Sequence, residues 1–187
     1  MTDTALLVLD LQRDFLAAKG RMPVGKGNAE RVIASANRLL QHAESADWKI
    51  IVIKNEFHRS DWLGNLFRKG AAVEGSVGAE NGPRVHFPAN VTTLAKIRPD
   101  GFTNPALAEI LQGSGIRRLV ILGVMAEGCV RATVKSAISR GYAATVVADG
   151  VASTKDFLHR FGLRSMRKSG ASLKSCDEIL MRPDSLS

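Results

Sequence analysis

Short, continuous apolar runs recur along the chain at helix-length intervals, and this alternation restricts the fold more than any other feature. Each run has four to six residues, most are rich in valine, isoleucine and leucine, and none is long enough for a buried helix. Such runs are typical of strands that are buried on both faces of a parallel sheet. We predict six strands, at residues 5–9, 49–54, 91–95, 117–122, 143–148 and 171–174.

Segments with the helical period of 3.6 residues lie between these runs. They predict helices at residues 28–44, 103–112, 129–140, 156–168 and 177–181, with Asn28 as the N-cap of the first. Strands that alternate with helices favour an α/β fold, in three layers. We therefore expect a doubly wound, Rossmann-like, six-stranded and mainly parallel sheet with helices on both faces. The 187 residues are the length of a single domain, residues 1–187.

The composition excludes several classes of protein. A hydrophobic content of 45% with 24% charged residues is that of an ordinary globular domain. The two cysteines form neither a disulfide framework nor a zinc pattern, and no cofactor motif is present, so we expect no metal and no cofactor. The first residues lack the cationic region of a signal peptide, and Asp10 interrupts the first apolar run. We expect a cytoplasmic protein that does not span a membrane.

The net charge of +8 is compatible with more than one kind of partner. Proteins that bind nucleic acid place cations beside aromatic residues, and aromatic residues are only 5% of this chain. The densest basic stretch, residues 160–174, has the near i, i+4 spacing of a solvated helix face. We therefore expect no nucleic-acid partner, and an acidic substrate or solubility explains the charge equally well.

Three predicted strands end in residues with reactive side chains. Asp10 follows the first strand, Lys96 follows the third, and Cys129 begins the helix after the fourth. The carboxyl ends of parallel strands form the ligand-binding edge of such sheets. An ammonium group and a helix N-terminus lower the pKa of a thiol, and a carboxylate can carry its proton. Taken singly, each also fits an ordinary role, as a helix cap, a surface lysine or a small buried apolar residue.

Three ordered motifs resemble those of the isochorismatase-like cysteine hydrolases, a superfamily that includes nicotinamidases and N-carbamoylsarcosine amidases. Leu7-Val-Leu-Asp-Leu-Gln-Arg-Asp-Phe15 is similar to the opening strand of that superfamily, with its Asp-x-Gln-x-x-Phe signature. Lys96-Ile-Arg-Pro-Asp-Gly-Phe102 resembles its lysine segment, and Gly123-Val-Met-Ala-Glu-Gly-Cys-Val-Arg-Ala-Thr133 resembles its nucleophile motif. The resemblance covers nearly the whole chain and implies the isochorismatase-like hydrolase fold.

The resemblance also implies an activity and a role for each residue. Cys129 would be the nucleophile, Asp10 the proton carrier and Lys96 the polarising residue in hydrolysis of an amide or ureido C–N bond through a thioester. The non-proline cis peptide of the family would fall at Val124–Met125. The N–H groups of Met125 and Cys129 would then bind the oxyanion. A homo-oligomer, dimer or tetramer, is implied as well.

Two departures from the family pattern bear on activity and substrate. Ala126 stands where the family usually has threonine, so a side-chain hydrogen bond of the turn is missing or replaced. Nicotinamidases carry an Asp-x-His metal motif after the second strand, where this chain reads Lys54-Asn-Glu-Phe-His58. Glu56 and His58 have no third ligand in register, which disfavours a metal site and nicotinamide as the substrate.

Residues 55–90 have little periodicity and are expected to form a covering segment or an oligomer contact. As pocket residues we predict Phe15, Trp62 and Phe102 for apolar walls and His58 or Arg59 for a polar contact. Two other functions remain open. One is a catalytically silent family member that acts as a binding or assembly module. The other is a thiol redox protein, although no resolving cysteine lies near Cys129 in the sequence.

Overall fold

The computed structural model describes residues 2–89 and 91–182, and its strands follow the predicted order. They are β1 Thr4–Leu9, β2 Lys49–Asn55, β3 Thr92–Lys96, β4 Arg118–Val124, β5 Ala143–Ala152 and β6 Ser172–Lys174. The six strands form one sheet with the order β3-β2-β1-β4-β5-β6, and every strand pair in it is parallel. The predicted α/β fold is confirmed, with an all-parallel sheet.

Helices cover both faces of this sheet. They are α1 Arg13–Leu16, α2 Lys26–Ser45, α3 Trp62–Phe67, α4 Pro105–Gly113, α5 Arg131–Ser139, α6 Asp156–Lys168 and α7 Cys176–Met181. Successive strand residues point to opposite faces. Leu6 and Val8 therefore pack in one core with α2 and α7, while Leu7 and Leu9 pack in a second core with α4, α5 and α6. None of the described helices is both long enough and apolar enough to span a bilayer.

Three predicted element boundaries are wrong. α2 begins at Lys26 with Gly25 as its N-cap, and the predicted cap, Asn28, lies inside the helix and donates to the Val24 carbonyl at 2.9 Å. β5 does not end at residue 148 but continues to Ala152, because the register with β4 shifts and the later residues pair again. The helical region at the cysteine begins earlier than predicted, with a π-helical turn over Ala126–Val130.

The order of the strands reverses between β1 and β4, which is where open α/β sheets bind their ligands. Gly123, near the end of β4, has φ +136°, a backbone conformation that favours glycine. A Cβ at this position would lie 2.1 Å from the Leu9 carbonyl oxygen of β1. Glycine therefore allows the ends of β1 and β4 to approach closely, and these ends carry Asp10 and the turn to Cys129.

Residues 55–90, apart from the undescribed Asn90, contain α3 and a short 3-10 turn, Val77–Ala79, and Arg84 and His86 contact α2 through Glu30 and Asn37. The buried carboxylate of Asp14, next to Phe15 in α1, accepts hydrogen bonds from the Ala72 N–H at 2.9 Å and the Arg21 N–H at 3.2 Å. Gln12 Nε2 donates to the Ala79 carbonyl at 2.8 Å. The segment after β1 thus anchors the covering segment beside the predicted site.

Candidate active site

Asp10, Lys96 and Cys129 lie together at the carboxyl edge of the sheet. Lys96 Nζ is 2.9 Å from Asp10 Oδ2 and 3.3 Å from Cys129 Sγ. The side chains of the ion pair are 0% and 1% exposed, for Lys96 and Asp10 respectively. Contacts that span 86 positions (Asp10 to Lys96) and 33 positions (Lys96 to Cys129) of the sequence therefore join the three residues in one hydrogen-bonded cluster.

Asn55 is a fourth member of this cluster, and the sequence analysis missed it. Its Oδ1 accepts a hydrogen bond from Lys96 Nζ at 2.6 Å, and its Nδ2 lies 3.6 Å from Cys129 Sγ. Asn55 ends β2 and is the register partner of Lys96 at the end of β3. Gln12 fixes its backbone, since Asn55 N–H donates to Gln12 Oε1 at 3.0 Å. The feature of the sequence that could have indicated this role is a polar amide directly after the apolar strand predicted at residues 49–54.

Asp10 has an unusual backbone conformation, with φ +56°. Residues other than glycine seldom adopt the left-handed region, and such outliers cluster at functional sites. The Asp10 N–H donates to the Ile53 carbonyl at 2.8 Å, which helps to hold this conformation. Asp10 Oδ1 is buried and accepts no hydrogen bond from an N–H or O–H group of the described residues. It is therefore available to receive a proton.

The protonation states follow from burial and from the charges of the cluster. Burial, and to a lesser extent the Asp10 carboxylate, raise the pKa of the Cys129 thiol to about 12, against the opposing effect of Lys96. Burial likewise raises the pKa of Asp10, against the effect of Lys96. Burial lowers the pKa of Lys96, but the adjacent Asp10 and Cys129 together outweigh it, and the net shift of the pKa is upward. The expected net lowering of the thiol pKa by Lys96 and the helix N-terminus is therefore not found, because desolvation exceeds the effect of the lysine.

A cavity of about 240 Å³ opens onto Cys129. Two residues of the cluster, Cys129 and Asn55, line it together with a mainly apolar wall. The remaining lining residues are Phe15, Met22, Phe57, Arg68, Ala71, Ile97, Pro99, Val124 and Met125. This volume is below the roughly 300–1,000 Å³ of pockets for drug-sized ligands, so the cavity accommodates a small molecule.

Of the five predicted pocket residues, only Phe15 lines this cavity. Phe102 is buried in the core and stacks on Tyr142, with 6.0 Å between the ring centroids. Trp62 is 70% exposed on α3, and Arg59 lies at the surface, where its Nε donates to the Glu74 carbonyl. His58 lines an adjacent cleft of about 430 Å³ that includes Lys96 and Ile97 but not Cys129. The assignments of Phe102, Trp62 and Arg59 to the cavity are wrong, because Phe102 packs in the core and the other two side chains lie at the surface of the covering segment.

The donors near β2 do not form a metal site. Glu56 Oε1 is 2.6 Å from the ammonium of Lys54, and His58 Nδ1 is 3.2 Å from Glu74 Oε2. A cation bound by Glu56 would face the positive charge of Lys54. Within residues 2–89 and 91–182 no group of three His, Cys, Asp or Glu side chains is suited to hold a metal. No chemical step is therefore assigned to a metal ion.

The turn before Cys129 carries two backbone N–H groups, of Met125 and Cys129, at residues that line the cavity. The Val124–Met125 peptide bond is cis, as the resemblance implies. Outside the helices and strands, neither the Met125 N–H nor the Cys129 N–H donates to the backbone of a described residue, and both residues line the cavity. Other contacts hold the turn in place of the missing threonine. Glu127 accepts from the Ser153 hydroxyl through its carboxylate and from Arg131 Nε, at 2.7 Å, through its carbonyl.

Comparison with known proteins identifies the family. The family model of the isochorismatase domain matches residues 4–178 of this chain. The chain belongs to the isochorismatase family. It is 29% identical over 187 residues to a probable inactive nicotinamidase of Arabidopsis thaliana, and the match covers 94% of each chain.

Two solved structures extend the comparison. The pyrazinamidase of Pyrococcus horikoshii, solved in complex with zinc, has a TM-score of 0.83 and 28% identity over 93% of this chain and 99% of its own. The N-carbamoylsarcosine amidase of Thermoplasma acidophilum has a TM-score of 0.82 and 26% identity over 95% and 99% of the two chains. This isochorismatase-family chain thus shares its whole fold with amidases.

Proposed function

We propose that this isochorismatase-family protein is a cysteine amidohydrolase that cleaves an amide or ureido C–N bond of a small molecule through a thioester. The observation that carries the proposal is the contact of Lys96 Nζ with both Asp10 and Cys129, which lines a mostly apolar cavity. The names of the two structural relatives, both amidases, support the reaction class.

Acylation begins from a neutral thiol. Cys129 Sγ attacks the substrate carbonyl carbon while its proton passes to the unpaired Oδ1 of Asp10. Lys96 and Asn55 Nδ2 stabilise the developing negative charge on sulfur, and the N–H groups of Met125 and Cys129 bind the oxyanion. Asp10 then returns the proton to the substrate nitrogen as the C–N bond breaks. Ammonia or an amine leaves, and the acyl group remains on sulfur.

Deacylation reverses these roles. Asp10 takes a proton from an attacking water, which adds to the thioester carbonyl. The C–S bond breaks, the sulfur regains the proton from Asp10, and the acid product leaves. Lys96 keeps its charge throughout, since its raised pKa holds the proton. Protons and electrons balance without a cofactor or a metal.

The test is a panel of small primary amides and ureides offered to the wild type, to Cys129→Ala and to Cys176→Ser. We expect ammonia release from at least one compound, abolished by Cys129→Ala, and an acyl adduct on Cys129 in the intact mass spectrum. Cys176 is the matched control, because it is buried beside Ser35 and does not line the cavity. Ammonia release that survives Cys129→Ala contradicts the covalent mechanism.

A catalytically silent binding or assembly module is the second candidate. Two observations favour it: the name of the Arabidopsis relative, and alanine at position 126 in place of the family's threonine. Lys96 makes its hydrogen bonds to both Asp10 and Asn55, and we therefore rank the enzyme above the silent module. Binding of panel compounds without any acyl adduct or ammonia release would establish the silent module instead.

A further inference from the structure

Among the residues that line the cavity beside Cys129, one carries a formal charge. Eight of its eleven lining residues are apolar, and the polar ones are Asn55, Arg68 and Cys129. Asn55 and Cys129 belong to the catalytic cluster. Arg68, which follows α3, belongs to the covering segment and takes no part in that cluster.

The guanidinium of Arg68 is held rigidly at this wall. It lies 3.8 Å above the ring centroid of Phe57, another lining residue. Its Nη2 donates to Asp61 Oδ2 at 2.5 Å and to Asn65 Oδ1 at 3.1 Å. The contact with the face of the Phe57 ring and the hydrogen bonds at the Nη2 edge fix the plane of the guanidinium. The Arg68 side chain therefore loses little conformational entropy when it binds a further partner.

Arg68 retains unused donors in this position. Its Nε is buried without a hydrogen-bond partner, and its Nη1 donates to no described residue. A buried donor that is left unsatisfied is destabilising, and such groups call for a specific explanation. The salt bridge to Asp61 occupies the Nη2 edge only, and the Asp61 side chain is 50% exposed, so that solvent screens its charge.

Building on the proposed function, we propose that Arg68 is the specificity residue of the cavity and binds a carboxylate on the substrate. The substrate is then an amide or ureide with a short apolar body and an anionic group, for example an N-carbamoyl amino acid. A carboxylate enters an apolar cavity only when it is paired, and an arginine with free N–H groups supplies charge and directed donors together. The scissile carbonyl lies at Cys129 and the carboxylate at Arg68.

Binding without turnover tests this proposal separately from catalysis. The Cys129→Ala protein is titrated calorimetrically with N-carbamoyl amino acids whose side chains range from hydrogen to benzyl, each as the free acid and as the methyl ester. We expect the best acid to bind about 10- to 100-fold more tightly than its ester, as for a hydrogen bond to a charged group. Adding Arg68→Gln removes this preference, and Arg68→Lys retains part of it.

Two controls separate the carboxylate site from changes in folding and in net charge. Lys69→Gln removes a neighbouring exposed cation that does not line the cavity, and it leaves the ratio of acid to ester affinity unchanged. Arg68→Met keeps an unbranched side chain over Phe57, and its circular dichroism and thermal midpoint report the fold. Equal affinity for acid and ester, an acid preference that survives Arg68→Gln, or no binding of any acid overturns the proposal. Ammonia release by the wild type decides the proposed function independently.

Discussion

Cys129 carries its proton in the resting protein, since burial and the adjacent carboxylate together outweigh the attraction of Lys96. The family resemblance identified the three reactive residues, but the state of the thiol depends on its desolvation. A thiol with a pKa of about 12 resists unspecific oxidation and alkylation near neutral pH, because the thiolate is the reactive form. The nucleophile is therefore produced in the attack step, with Asp10 as the base.

We predict that Asp10→Asn makes Cys129 more acidic and yet abolishes turnover. The carboxylate raises the pKa of the thiol, so its removal lowers the pH midpoint of alkylation by iodoacetamide below about 12. Loss of the proton carrier reduces kcat by about 10²- to 10⁴-fold. The alkylation rate is measured against pH in a Cys176→Ser background, so that the measured rate is that of Cys129 alone.

Lys96→Met is the opposing variant for this measurement. The lysine lowers the pKa of the thiol, and its removal shifts the alkylation midpoint upward, while turnover is also lost. An unchanged or higher midpoint in Asp10→Asn would show that the carboxylate does not act on the thiol.

At the scale of secondary structure, α6 supports the turn that carries the N–H groups of Met125 and Cys129. Gly162 of α6 packs so closely on this turn that a Cβ would lie 2.6 Å from the carbonyl carbon and oxygen of Ala126. Ala126 itself is 0% exposed. The backbone of the turn is therefore in direct contact with α6 at Gly162.

We predict that Gly162→Ala displaces this turn. The substitution is expected to destabilise the protein by about 1–3 kcal/mol through overpacking and to reduce kcat more than it changes KM, because the oxyanion donors move. Thermal denaturation and steady-state kinetics check the two effects. The matched control is Gly113→Ala at the end of α4, where a Cβ meets nothing within 4 Å.

Gly113→Ala should be neutral or stabilising by up to about 1 kcal/mol, because alanine lowers the entropy of the unfolded chain. If Gly162→Ala has the same small effect, α6 does not position the turn.

At the scale of the whole molecule, α3 presents an apolar face with no partner among the described residues. Trp62, Leu66 and Phe67 are 70%, 68% and 84% exposed, and no residue of this helix is buried. Exposed apolar surface of this kind marks an interaction site. We propose that this face joins two copies of the chain, in line with the expected oligomer contact in residues 55–90. Arg68 directly follows the helix, so this interface would adjoin the substrate cavity.

We predict that the wild type is a homo-oligomer and that Leu66→Glu with Phe67→Glu dissociates it, because two charges cannot be buried in an apolar interface without partners. Light scattering coupled to gel filtration measures the mass. Phe157→Glu on α6, at a residue that is 57% exposed, is the control and should leave the mass unchanged. A monomeric wild type, or an oligomer that resists the double substitution, contradicts this role of α3.

The sequence by itself determined the α/β class, the order of strands and helices, and, through its motifs, Asp10, Lys96 and Cys129. Strand and helix periods are local properties, so burial on one or both faces can be inferred from a few neighbouring residues. Element ends were less predictable. Asp149 and Gly150 have the composition of a turn, yet pairing with β4 carries β5 through them to Ala152.

Only the tertiary structure decided which side chains meet and how they are charged. Asn55 joins the cluster because β2 lies between β1 and β3, an order that local periodicity does not contain. Trp62 points outward because the path of the covering segment depends on distant contacts such as that of Asp14 with Ala72. Phe102, after β3, instead packs in the core beside Tyr142. The pKa of Cys129 likewise depends on desolvation, which all the surrounding elements produce together.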